Sequence, residues 1–118
     1  MQTSLRITFR HMESSPSLEA RIREHVAHLE RFHQDITRCH VVIEAPSARR
    51  RQGAPFEVTV DLTIPGREIV VRTGHAEREA HVDVYVAVRD AFDSIKRQLQ
   101  AHEALPHGAP RNYDKRAG

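Results

Sequence analysis

The chain has 118 residues, a mass of 13.5 kDa, 39% hydrophobic residues and 29% charged residues. Folding at this length buries roughly 65% of the extended-chain surface, which supports one two-layer core and argues against a multidomain enzyme. Eighteen Lys/Arg, mostly Arg, stand against 16 Asp/Glu for a net charge of +2 and a pI of about 9.1, a balance that permits a polyanion partner without requiring one. Cys39 is the single cysteine, so no intramolecular disulfide can form, and the apolar run CHVVIEA around it predicts a buried strand thiol. No signal-peptide core and no apolar run near the roughly 20 residues of a membrane span is present, so the expected compartment is the reducing cytoplasm, with no membrane association.

Leu5, Ile7 and Phe9 alternate with Arg6, Thr8 and Arg10, the two-residue period of a half-buried strand. Ser14 and Ser15 precede Pro16. A hydroxyl there can accept a free helix-terminal N–H, and proline at the first helical position forfeits no needed donor. In SLEARIREHVAHLERF, residues Leu18, Ile22, Val26 and Leu29 recur at helical spacing, and Phe32 is expected to extend the stripe. RCHVVIEA reads as a second strand with Cys39, Val41, Ile43 and Ala45 inward. PSARRRQGAP then breaks the pattern around Pro46, Gly53 and Pro55 and predicts a mobile basic loop.

FEVTVDLTI alternates again, Pro65-Gly66 supplies a turn, and REIVVRT returns, so an antiparallel hairpin is expected. The final long element, DVYVAVRDAFDSIKRQLQAHE, carries Val84, Val88, Phe92, Ile95 and Leu99 as a helical stripe, with Asp83 as its cap. Pro106, Gly108 and Pro110 end regular structure. The predicted organisation is one domain over residues 1–105 and a flexible basic tail over 106–118. The fold class is α+β: a β-α-β-β-β-α two-layer arrangement, with a four-stranded mixed sheet whose first two strands join by a parallel crossover and two helices covering one face.

Arg49, Arg50 and Arg51 are the sharpest nucleic-acid candidates on residue type alone. Adjacent guanidiniums on a loop can engage several phosphates, although a solvated loop explains them as well. Lys96 and Arg97 read first as helix-surface charge, with Asp93 at pairing distance along the helix. Tyr85 can stack on a base, but its place beside the stripe favours an amphipathic core role. Nine His residues raise the question of a metal, yet His25 and His28 on one helix face do not complete a zinc shell and no HExxH occurs. Glu57 and Asp61 share a strand face that solvent accounts for. No nucleophile–base pair, phosphate loop or cofactor motif supports catalysis, so no cofactor and no enzyme activity are expected.

LRITFRHMESSPSLEARIREHVAHLERF, FEVTVDLTIPG with REIVVRT, and DVYVAVRDAFDSIKRQLQAHE resemble, in that order, the first strand and helix, the central hairpin and the second helix of the short ribosome hibernation-promoting factor family, also described as ribosome-associated inhibitors or ribosomal subunit interface proteins. The resemblance covers residues 4–103. Its most specific parts are Ser15-Pro16, Ile64-Pro65-Gly66, Asp83-Val84-Tyr85 and Lys96-Arg97-Gln98-Leu99. It implies a scaffold like that of double-stranded-RNA-binding domains and binding to small-subunit ribosomal RNA in the messenger and transfer RNA channel, inhibiting translation while preserving inactive ribosomes under stress. By position it implies phosphate contacts from Arg21, Arg23 and Arg31 on the first helix and from Arg89, Lys96 and Arg97 on the second. The length resembles the short form, without a C-terminal dimerisation domain, and the absence of a second apolar surface favours a monomer off the ribosome.

Charge is distributed unevenly. Residues 13–36 hold three Arg against five Asp/Glu, and residues 77–103 hold four Lys/Arg against six, so both helical regions are net acidic. The excess positive charge lies in the strands, their loops and the tail. This distribution supports an alternative reading on the same scaffold, a cytoplasmic protein-interaction adaptor or regulator that does not bind ribosomes.

Overall fold

The computed structural model describes residues 3–46, 56–73 and 83–103. The arginine run at 49–51, the domain boundary expected after residue 105 and the tail at 106–118 lie outside the described residues.

Alternation sets the sheet. Strand β1 (Ser4–Arg10) pairs in parallel with β2 (Arg38–Glu44), β2 pairs antiparallel with β3 (Glu57–Ile64), and β3 pairs antiparallel with β4 (Arg67–Thr73), in the spatial order β1-β2-β3-β4. The registers align the apolar sets in rows: Ile7 opposite Val41, Val41 opposite Val60, and Val60 opposite Val71. Because side chains alternate faces, one residue of slippage in any strand would turn its whole apolar set into water. Cys39, Val41, Ile43, Val58, Val60 and Leu62 are fully buried, as the inward set predicts. Ala45 falls one residue beyond β2 and is half-buried.

Pro65-Gly66 closes the expected hairpin. Gly66 sits at φ +79°, the left-handed conformation that the third position of a type II turn requires after proline.

Helix α1 (Pro16–Phe32) is the crossover between β1 and β2. Ser15 Oγ accepts the Leu18 N–H at 3.2 Å, and Pro16 opens the helix without wasting a donor. Leu18, Ile22, Val26 and Leu29 are buried. Phe32 departs from the expected stripe: it is 61% exposed, and His33, which caps the helix by donating its N–H to the Leu29 carbonyl at 2.9 Å, is buried instead. Each residue advances about 100° around the axis, so the position four after Leu29 stays on the buried stripe while the position three after it swings toward the rim.

Helix α2 (Val84–Glu103) starts where Asp83 Oδ1 accepts the Tyr85 N–H at 2.9 Å, and the Asp83 carbonyl accepts from Val86 and Ala87 at 3.0 Å. Its buried stripe is Val88, Phe92, Ile95 and Leu99, and Ala87 and Ala91, also fully buried, let the helix lie close to β3 and β4. Both helices cover one face of the sheet, so the β-α-β-β-β-α fold expected from the sequence is the one observed. The opposite face carries the polar set. No described helix is long and apolar enough to cross a membrane.

Candidate nucleic-acid interface

The two helices run side by side in the same direction, and a row of ring contacts joins them. At the start of the seam the Arg21 guanidinium carbon lies 5.4 Å from the Tyr85 ring centroid. One turn on, the His25 imidazole stacks on Phe92 with centroids 4.9 Å apart and planes 8° from parallel. At the far end Lys96 Nζ stands 5.9 Å from the Phe32 centroid, and His28 meets the same ring edge-on at 5.3 Å. The exposed Phe32 ring thus lies at this end of the seam.

Helical spacing explains the assembly. Residues 21, 25, 28 and 32 lie three or four apart and share one face of α1, and residues 85, 92 and 96, seven and four apart, share one face of α2. A cation over an aromatic face is held by the ring quadrupole at about 0.5–1 kcal/mol in exposed settings, so the rings of Tyr85 and Phe32 help orient Arg21 and Lys96 at the seam. Burial, with the adjacent Arg21 charge, holds the His25 imidazole below its ordinary 6.5, and it stacks as the neutral ring.

The sequence candidates divide by face. Arg21 and Lys96 stand at the seam. Tyr85 is half-buried against the core, as its place beside the stripe predicts, while its ring supports Arg21. Arg89 is exposed on α2, its Nη2 3.3 Å from Asp90. Arg97 is exposed and carries no ion pair among the described residues, and Arg31 projects from the last turn of α1, where a cation suits the carbonyl end of the helix. Arg23 is separated from the group: it lines a cleft on the β1 side of α1 with Thr3, Leu5, Val26, Ala27 and Glu30, and it pairs with Glu19 at 3.6 Å. Arg21 also meets Glu24 at 3.5 Å, an exposed pair of little energetic weight. Arg49, Arg50 and Arg51 lie outside the described residues.

A second polar surface lies on the open face of the sheet, and it includes Asp61, which the sequence sets with Glu57 on a solvated face but which the fold partly buries. Ser4, Arg6, Arg38, His40, Asp61, Thr63 and Glu68 line a shallow cleft of about 320 Å³. Among the described residues Asp61 Oδ1 is buried there without a hydrogen-bonding partner. A hydrogen bond with Asp61 and its negative charge hold the Glu68 carboxyl above the usual range, opposed by Arg38. The signal was present in the alternation, which assigns Arg6, Arg10, Arg38 and Arg72 to the polar face. Which carboxylates sit beside them depends on strand register. Among the described residues no group of three or more His, Cys, Asp or Glu is arranged to hold a metal ion.

Residues 5–104 match the family described as Sigma 54 modulation protein / S30EA ribosomal protein. Two solved structures are similar in fold. A ribosomal subunit interface protein from Coxiella burnetii superposes with a TM-score of 0.70 at 17% identity, covering 87% of this chain and 100% of that one. The N-terminal domain of Thermus thermophilus Protein Y gives a TM-score of 0.67 at 17% identity, covering 86% of this chain and 99% of the domain. Comparison with curated proteins finds no significant match. The family match spans nearly the whole described fold, and the chain belongs to the Sigma 54 modulation protein / S30EA ribosomal protein family.

Proposed function

We propose that this chain is a non-catalytic ribosome-binding protein of the cytoplasm. One copy docks on small-subunit ribosomal RNA within the messenger and transfer RNA channel, blocks translation by occupancy and preserves inactive ribosomes under stress. The observation that carries this reading is family membership over residues 5–104. The α1–α2 seam supplies chemistry suited to it: Arg21 and Lys96 are braced on Tyr85 and Phe32, with Arg89 and Arg97 exposed on the same helix as Lys96. Guanidinium and ammonium groups held this way can meet successive phosphates of a folded RNA without first being ordered. Both helical regions are net acidic, so the reading rests on local placement rather than on total charge.

Co-sedimentation with purified small subunits and intact ribosomes across a salt series tests it. Binding should weaken as salt rises, and Lys96→Ala with Arg97→Ala should lower affinity and reduce the salt slope by about 1.5 while leaving the fold intact. Equal binding by wild type and the double variant would remove these two residues from the interface. Absence from both particles even at low salt would overturn the ribosomal reading in favour of a protein-binding adaptor.

A further inference from the structure

β4 ends the sheet, and its sequence is self-complementary along that edge. The Thr37 N–H donates to the Thr63 carbonyl at 2.9 Å, so the backbone polar groups of Thr63 face β2, and those of its neighbours Leu62 and Ile64 face β4. Their partners Ile69 and Arg67 therefore face back toward β3. By alternation the N–H and C=O groups of Glu68, Val70 and Arg72 point outward from the edge. The same three side chains project onto the open face, where Val70 is 53% exposed; among the described residues the other exposed large hydrophobic residue is Phe32, at the end of α1.

We propose that β4 is a self-pairing edge, through which two copies of this chain associate antiparallel about a twofold axis at Val70, continuing the sheet from one copy into the next. With Val70 opposite the partner's Val70, Glu68 stands opposite the partner's Arg72 and Arg72 opposite the partner's Glu68. Every outward N–H and C=O of the three residues then finds a partner, and the contact is isologous, as a closed dimer requires. Directly opposed side chains have Cβ atoms about 5 Å apart, close enough for both Glu–Arg pairs and for contact between the valines. The position at the centre of an exposed edge is one where a lysine or proline would forbid such pairing, and here it is valine. β1, the other edge, offers Arg6 and Arg10 of one sign only. The surroundings of Glu68 favour the same partner. It lies against Asp61 with Arg38 as the opposing cation, and the partner's Arg72 adds a second.

The expectation of a monomer rested on the absence of a second apolar surface, and this contact needs none because backbone hydrogen bonds carry it. A single added strand pair is smaller than the roughly 1,200 Å² typical of stable interfaces, so association is weak and visible only at high concentration.

Sedimentation velocity over about 10 μM to 1 mM tests the proposal, with the wild-type chain shifting reversibly from monomer to dimer across the series. Glu68→Arg alone and Arg72→Glu alone each set like charges opposite one another twice and should weaken dimerisation about tenfold or more, while the two together exchange the pair and restore it. Val70→Pro deletes an outward donor and spares the β3 ladder, so it should abolish the dimer while circular dichroism stays that of the wild type. A double reversal as weak as either single one, or a dimer that survives Val70→Pro, would place association elsewhere and overturn the pairing. A wild-type chain that stays monomeric throughout overturns it too, leaving the edge to an extended segment of another protein.

Discussion

Arg21 on the second turn of α1 lies over the ring of Tyr85 in the first turn of α2, 5.4 Å from its centroid, and this cross-helix contact aligns the starts of the two helices. The contact does two things at once. It covers the outer face of a ring packed against the core, and it holds a guanidinium at the seam where the proposed RNA contact begins.

A double-mutant cycle separates the pair from its parts. Arg21→Ala and Tyr85→Leu, each alone and combined, should give a coupling energy of about 0.5–1 kcal/mol in urea unfolding. Tyr85→Phe should retain most of it, since the ring face and not the hydroxyl meets the cation. Additive single effects would show that the guanidinium rests beside the ring without energetic consequence.

His25 makes stability depend on pH. Burial against Phe92 and the Arg21 charge hold its folded pKa below the ordinary 6.5, so between the lowered value and 6.5 the unfolded chain binds more protons than the folded one. Stability should therefore be constant in this respect above about pH 6.5 and fall as pH drops through that window. Asp93 and Glu24 oppose the shift, and Arg21 and His28 reinforce it. His25→Phe keeps a ring to stack on Phe92 and removes the proton, so chemical unfolding at pH 7 and pH 5.5 should show a smaller loss in the variant. An identical loss in both proteins would assign the pH dependence to other groups.

Cys39 should be silent to thiol reagents in the native state. It is fully buried in the sheet core, and burial, reinforced by the charges of Asp61 and Glu30, pushes its thiol up to about 12. The thiolate is the reactive form, so at pH 8 the folded chain lacks both access and nucleophile. Labelling by a chromogenic disulfide should reach one equivalent only in denaturant, and in native buffer its rate should follow global unfolding. Rapid native labelling would contradict the packing of β2.

Much of the fold was legible because its signals are local. The strict alternation of Val58, Val60 and Leu62 needs only a two-residue period to be read, and Ser15-Pro16 and Asp83 mark helix starts through bonds that close within a few residues. The candidate site was less legible. The family resemblance implies one role for Arg21 and Arg23, two residues apart, yet one braces on Tyr85 across the seam and the other lines the β1 cleft with Glu30. Residues two apart on a helix are separated by about 200° around its axis, and the meaning of that rotation depends on where the second helix lies. Spacing along α2 pairs Lys96 with Asp93, whereas in the fold Lys96 Nζ stands over the Phe32 ring of the other helix.

Element order, the inward face of each strand and the caps of both helices follow from local patterns, since periodicity and terminal donors act over a few residues. Which cations share a face, that Phe32 turns outward while His33 is buried, and that Glu68, Val70 and Arg72 lie along the β4 edge emerge only on packing. Those outcomes depend on helix packing and strand register, which bring together residues far apart in the chain, and no spacing within a single element specifies them.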